Sequence, residues 1–312
     1  MTSVPSDLPV NRTLTAALAI LAYATIIGFT DNFVQVIAQH HGLWQFHATR
    51  SAMVLVIVAV LMVPLGLRIR PKNLRAVAAR SAIHGLAMVF YFGSLAFLPV
   101  AQVAAALFTA PIFVLLISRF AYGEHIGPFR ILAVAIGFLG VLLVLGPEGG
   151  EGIGLATVLP VAAGALYAMG NIATRRWCAG EAPETLTLGF FVALGLIGCL
   201  GMAVLAMAGI AAPEGPAGFV LRGWVTPDRT FLFWVFVQAA GSLLGVGLMV
   251  WAYQIAEATR VSVFEYAILP TSAIWTWAIW GEVLGLQAVL GICLIVAAGL
   301  LILFRSTRKA AA

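Results

Sequence analysis

Apolar runs of about twenty residues, parted by short polar and turn-forming bursts, recur along nearly the whole chain. Twenty residues is the length an α-helix needs to cross a bilayer core of ~30 Å. The pattern predicts ten spans, at about residues 13–37, 46–67, 75–97, 100–121, 127–146, 154–174, 184–209, 230–254, 257–280 and 286–304. Turn chemistry fills the gaps: QHHG, RIRPKN, LP, YGEHIGP, GPEGGEG, CAGEAP, the stretch from PEGPAG to TPD, AEA and GE. Several gaps are only a few residues long, which forces antiparallel neighbours. Pro111 and Pro270 fall inside spans, where a membrane helix can kink without breaking.

Composition removes the soluble alternatives. The chain is 62% hydrophobic and 9% charged, with a mean hydropathy of +1.05. A soluble domain is nearer one quarter charged, because its surface faces water. The expected fold class is therefore an all-α polytopic membrane protein whose first partner is the lipid bilayer. The pI near 9.4 reflects Lys and Arg flanking the spans rather than a nucleic-acid partner. With the N-terminus inside, one side collects Arg12, Arg68, Arg70, Lys72, Arg75, Arg119, Arg130, Arg175, Arg176, Arg260, Arg305, Arg308 and Lys309. The other keeps Arg50, Arg222 and Arg229, so both termini are expected in the cytoplasm. MTSVPSDLPVNR carries no clear cleavage pattern, and the first apolar run is too long for a signal-peptide core, so it reads as an uncleaved span. Cys178, Cys199 and Cys293 show neither metal-ligand nor disulfide spacing and are expected as buried small apolar residues.

The two halves echo each other. FLPVAQVAAALFTAPIFVLLISRFAYGE precedes HIGPFRILAVAIGFLGVLLVL, and AEATRVSVFEYAILPTSAIWTWAIWGE precedes VLGLQAVLGICLIVAAGLLIL. Each shows a helix with a proline near its centre, an aromatic-rich end, a Gly-Glu pair and a Gly-rich final helix. Aligning Gly123-Glu124 with Gly281-Glu282 leaves one residue of slippage between Pro111 and Pro270. Five spans per half is odd, so the second unit is inverted, with Glu124 cytoplasmic and Glu282 on the far side. The units are residues 13–146 and 154–304, with tails 1–12 and 305–312. Inverted repeats suit alternating access, because either half can close its end of a shared pathway.

These units resemble the drug/metabolite transporter superfamily, specifically its bacterial EamA-type members. ALFTAPIFVLLISRFAYGE and VFEYAILPTSAIWTWAIWGE carry the resemblance most specifically, and it extends over about residues 13–304. The first motif departs slightly, with Thr109-Ala110 before its proline. The resemblance implies a ten-helix inner-membrane carrier with a central cavity between repeats. It implies no single substrate, since members move amino acids, amines, organic acids, nucleosides or vitamins.

Polar residues inside spans cost energy and mark function or pairing. Glu265 falls on a weakly polar stripe with Ser262, Leu269, Ser272 and Thr276. Tyr266, Trp275, Trp277 and Trp280 stand near it, and aromatic faces beside a carboxylate suit an organic cation or amine. Alternatively the tryptophans anchor the outer interface. Asp31 and Gln35 share a face of the first span, and Arg50 opens the second at similar depth. An Asp31–Arg50 pair would neutralise two expensive charges, form an outer gate, or leave Arg50 to hold a substrate carboxylate. Ser81, His84 and Tyr91 share a face of the third span, where His84 is either a packing residue or a proton relay. Tyr167 and Asn171 in the sixth span, Gln238 and Ser242 in the eighth, and Gln102 in the fourth add further polar stripes. The glycines Gly137, Gly140, Gly291 and Gly299 would let helices approach closely, within the monomer or across a homodimer.

No phosphate-cradling glycine loop, zinc-protease motif or nucleophile-base constellation is present in the sequence, so neither an enzyme nor a cofactor is expected. The expected function is secondary transport of a small polar metabolite, with proton coupling or exchange and Glu265 as the central carboxylate. The alternatives are an exporter of amphipathic drugs or metabolites, or a membrane scaffold. Glu265 could also be structural, paired with His84.

Overall fold

The computed structural model describes residues 12–64, 66, 69–94, 107–145, 155–281 and 285–310. Among them the chain is helical and has no strand. The α-helices are α1 (Thr13–Asp31), α2 (Val34–Ala38), α3 (Leu43–Met62), α4 (Leu74–Ser94), α5 (Ala110–Phe120), α6 (Pro128–Leu145), α7 (Leu155–Arg176), α8 (Pro183–Ala208), α9 (Arg229–Ile255), α10 (Ala258–Phe264), α11 (Ile268–Trp280) and α12 (Leu286–Ala310). Among the described residues, five segments are long and apolar enough to cross a membrane: Thr13–Ala38, Leu43–Met62, Leu74–Ser94, Pro183–Ala208 and Arg229–Ile255. Gln102 and Glu282 lie outside the described residues.

The outward faces are as apolar as the core. Leu14, Leu18 and Leu21 on α1 and Val192, Leu196, Leu200 and Val204 on α8 repeat in steps of three and four and are all exposed. An apolar surface this extensive needs lipid rather than water. Cys178 is buried as expected, but Cys199 and Cys293 are exposed and belong to this outer surface.

Helix pairs meet where small residues permit. α6 packs on α12, α3 on α8, α1 on α9 and α11, and α7 on α4 and α5. A Cβ at Gly140 would lie 2.7 Å from the Gly291 carbonyl and 2.9 Å from Ile295 Cγ1, so the α6–α12 approach tolerates only hydrogen there. This glycine contact is made within the monomer.

The connections gather at two ends. At one, Glu181 accepts backbone N–H bonds from Lys72 and Asn73 (3.0 and 2.6 Å), Arg130 and Arg260 both pair with Glu257, and Arg176 pairs with Glu124. At the other, Trp44 and Gln45 bond the carbonyls of Val220 and Val225, and Arg222 donates to the carbonyls of Ala38, His41, Pro213 and Gly215. Arg222 is thus a clamp between two loops.

The span expected over 257–280 is interrupted. α10 ends at Phe264, residues Glu265–Ala267 form a 3₁₀ turn, and α11 begins at Ile268. Pro270 explains it: proline has no N–H to donate, and its ring crowds the carbonyl four residues earlier, here Tyr266. The Ile268 N–H bonds instead to the carbonyls of Glu265 and Tyr266. Glu265 therefore sits on a tightened turn in mid-span. Pro111 likewise stands at the start of α5 rather than inside a helix.

Candidate functional site

A cavity lies among α1, α3, α4, α5, α7, α8, α9, the 3₁₀ turn and the start of α11. Its wall includes Asp31, Arg50, Arg80, His84, Tyr91, Tyr167 and Glu265, set in a surround of Met88, Phe92, Phe108, Phe190 and Met249. The arrangement is a mostly apolar chamber with a few convergent polar groups, the usual composition of a small-molecule site.

Glu265 is 4% exposed, and its Oε1 accepts a 3.1 Å hydrogen bond from the Tyr167 hydroxyl. That hydroxyl also lies 2.8 Å from Met249 Sδ and 3.3 Å from the Tyr23 hydroxyl. A phenol has one proton to give, and an ionised carboxylate is the strongest acceptor on offer. The consistent order is Tyr23 donating to Tyr167 and Tyr167 to Glu265. The Tyr253 hydroxyl also stands beside the carboxylate. The ion pairs among the described residues are those of Arg130, Arg176 and Arg260, and none involves Glu265.

His84 does not pair with Glu265. Its Nε2 lies 2.9 Å from Asn171 Oδ1, which assigns the proton to Nε2, and its ring meets Tyr167 edge-on at 5.5 Å. Gly170 makes this possible, since a Cβ there would fall 2.4 Å from His84 Nδ1. Asn171 is fully buried and reaches the cavity through His84.

Asp31 and Arg50 both line the cavity but do not form an ion pair. Asp31 accepts from Gln238 Nε2 at 3.4 Å, and that nitrogen also bonds the Thr30 carbonyl at 2.7 Å. Arg50 lies 3.3 Å from His47 Nδ1 and is boxed by the rings of Phe46, Phe92 and Phe191 at 4.8, 5.6 and 6.0 Å. Aromatic faces compensate a buried guanidinium in part and leave its donors for other partners.

Four expected residues lie elsewhere. Gln35 follows the break at Asn32–Phe33 and is exposed. Trp275 donates its indole N–H to the Thr25 carbonyl at 3.0 Å and packs on Phe29, on the outside of α1. Tyr266 is fully buried, with its ring pressed against Gly137 of α6. Ser81 faces Gly189 of α8 rather than the His84 side.

The sequence reading missed Arg80 and Tyr23. Arg80 is fully buried, donating from Nε to Thr174 Oγ1 at 2.9 Å and from Nη1 to the Leu186 carbonyl at 3.0 Å. Its signal was available, because residues 80, 84, 88 and 91 follow helical steps along one face of α4.

Comparison with known proteins places this chain in a family. Residues 14–146 match the EamA-like transporter family. A riboflavin transporter of Rhizobium johnstonii is 31% identical over 233 residues, covering 74% of this chain and 70% of its own. A riboflavin transporter of Brucella anthropi is 27% identical over 250 residues, covering 78% and 84%. A pseudopaline exporter of Pseudomonas aeruginosa is 26% identical over 251 residues, covering 80% and 82%. A solved crystal structure at 17% identity superposes with a TM-score of 0.74 over 95% of this chain and 99% of its own, which shows a shared fold. The chain, an integral membrane protein, therefore belongs to the EamA-like transporter family of the drug/metabolite transporter superfamily.

Proposed function

We propose that the protein is a secondary active transporter that carries a small polar organic metabolite across the bacterial inner membrane by alternating access. The observation that carries the proposal is Glu265: a buried carboxylate with no ion-pair partner, facing a mid-span cavity through a broken helix. Such a group takes either a substrate donor or a proton, and the turnover couples the two by proton symport or by exchange.

The ten-span inverted repeat is part of this reading, and the helix contacts support it. Exchanging the two halves turns the α1–α9 contact into α7–α4 and the α1–α11 contact into α7–α5. It returns the α6–α12 and α3–α8 contacts to themselves. Gly123 and Gly281 are repeat-related and both left-handed, with φ of +63° and +72°. The end that carries the Arg130–Glu257 and Arg176–Glu124 pairs faces the cytoplasm, together with both termini, because it holds the excess of Lys and Arg.

Riboflavin is the first substrate to test, since three relatives carry that name. Its flat ring suits the walls of Phe92, Phe108 and Phe190. Its imide edge presents acceptor, donor and acceptor, which carboxylate and guanidinium groups can meet. An outward-moving amphipathic metabolite is the second reading, favoured by the methionines Met88 and Met249 in the wall and by the exporter among the relatives. The test is a thermal-stability screen of the purified protein against riboflavin and against cationic, zwitterionic and anionic metabolites, with Glu265→Gln alongside. A ligand that stabilises only the parent supports the site. Equal stabilisation of both proteins removes Glu265 from it.

A further inference from the structure

A second cleft lies on the outer surface, between α5 and α6, away from the central cavity. Ile112, Leu115 and Leu116 form one wall, and Val134, Ala135 and Phe138 the other, both in steps of three and four. The cleft stays open because its walls are committed elsewhere: α6 spends its glycine face on α12, and α5 packs on α7 and α10. From Ile112 to Arg119 the wall rises about 10 Å, roughly a third of a bilayer core.

One end of this apolar cleft is basic. Arg119 and His125 close it, both exposed, with Phe120 beside them at 82% exposure. The Arg119 Nη1 reaches the Glu124 backbone carbonyl at 3.4 Å, which leaves the rest of the guanidinium fork for an anion. The nearby Glu124 carboxylate is already neutralised by Arg176. The repeat supplies an internal contrast: Trp277 stands where Arg119 does, and Val283 where His125 does. The basic head therefore belongs to the first half alone, at the end of the molecule that gathers Lys72, Arg130, Arg176 and Arg260.

We infer that this cleft is a binding site for an anionic glycerophospholipid, its phosphate on Arg119 and His125 and one acyl chain between α5 and α6. Charge complementarity selects the occupant. The cytoplasmic leaflet carries anionic headgroups, and each basic side chain at its surface adds attraction of a size that alters binding several-fold. The inference rests on membrane embedding and on the cytoplasmic placement of this end proposed above, and is separate from the reading of substrate and coupling.

Native mass spectrometry of the full-length protein tests it, with phosphatidylglycerol and phosphatidylcholine of identical acyl chains. The parent should retain phosphatidylglycerol over phosphatidylcholine by about fivefold or more. Arg119→Gln with His125→Gln should abolish that preference, and Arg75→Gln, exposed outside the cleft, should leave it intact. Ala135→Trp, which fills the cleft and keeps the charges, should also lose the retained lipid. Equal retention of the two lipids overturns the inference, as does equal loss in Arg75→Gln, which would mark diffuse surface charge. Displacement of the lipid by soluble glycerol phosphate would make the site one for a free phosphate and overturn it too.

Discussion

A carboxylate in a membrane interior must find hydrogen bonds, a cation or a proton, and Glu265 has the first in one strong example and the second not at all. Replacing it by Gln keeps the shape and one acceptor but removes the charge and the exchangeable proton. Glu265→Gln should fold and lower transport by roughly 10–100-fold, the cost of losing a charged hydrogen-bond partner of about 1.5–3 kcal/mol. Its residual transport should no longer depend on pH, which flux measured across a pH series checks. Arg80 makes the complementary case. A buried guanidinium without a carboxylate is expensive, and apolar residues of similar volume often replace buried ions at no loss of stability. Arg80→Met should keep its unfolding temperature within about a few degrees of the parent while losing substrate response in the same thermal assay. Glu265 was legible in the sequence because no Lys or Arg follows it until the C-terminal tail. Arg80 was legible only as a position on one face of α4 with His84, Met88 and Tyr91, and its partners on α7 and α8 come from the fold. Neither Trp275 nor Tyr266 reaches the cavity, since sequence spacing gives a side chain's angle on its own helix and not which neighbour covers it.

At the scale of elements, apolar run length fixed where most helices lie, and their ends fall within a few residues of the expected ones. The expected span 13–37 is broken at Asn32–Phe33 and α5 begins at Ala110, but the most informative departure is in the ninth span. Residues 257–280 form one apolar run, yet Pro270 divides it into α10, a 3₁₀ turn and α11. Hydropathy cannot register that division, because it depends on one missing N–H and not on polarity. The turn matters to the site, as it sets Glu265 at a place where the backbone ladder is already interrupted. The glycine pattern was legible as close packing but not as to its partner, and the fold answers with α6 against α12 inside one chain. Gly140→Leu should overpack this contact and destabilise the protein by about 1–3 kcal/mol, seen as a lowered unfolding temperature in detergent. The same change at Gly127, where nothing lies within 4 Å, should be tolerated.

At the scale of the molecule, the two halves meet around a chamber, and ion pairs fasten one end of it: Arg130 with Glu257 and Arg176 with Glu124. In the alternating-access reading these pairs belong to the cytoplasmic gate. Loosening them with Glu257→Gln should shift the population toward the inward-open state. An impermeant thiol reagent would report this as faster labelling of Ser242→Cys in the cavity wall from the cytoplasmic side, with Cys199 and Cys293 replaced. The paired prolines and Gly-Glu motifs of the sequence are the basis of the proposed repeat, whereas nothing in the sequence selects a substrate, because relatives carry different names. The most direct measurement of the central claim is riboflavin flux into proteoliposomes with and without a pH gradient, comparing the parent with Glu265→Gln. Saturable flux that the gradient accelerates is expected in the parent, and Glu265→Gln should lose it. Unsaturable flux in the parent, or the same gradient-driven flux in Glu265→Gln, would contradict the claim.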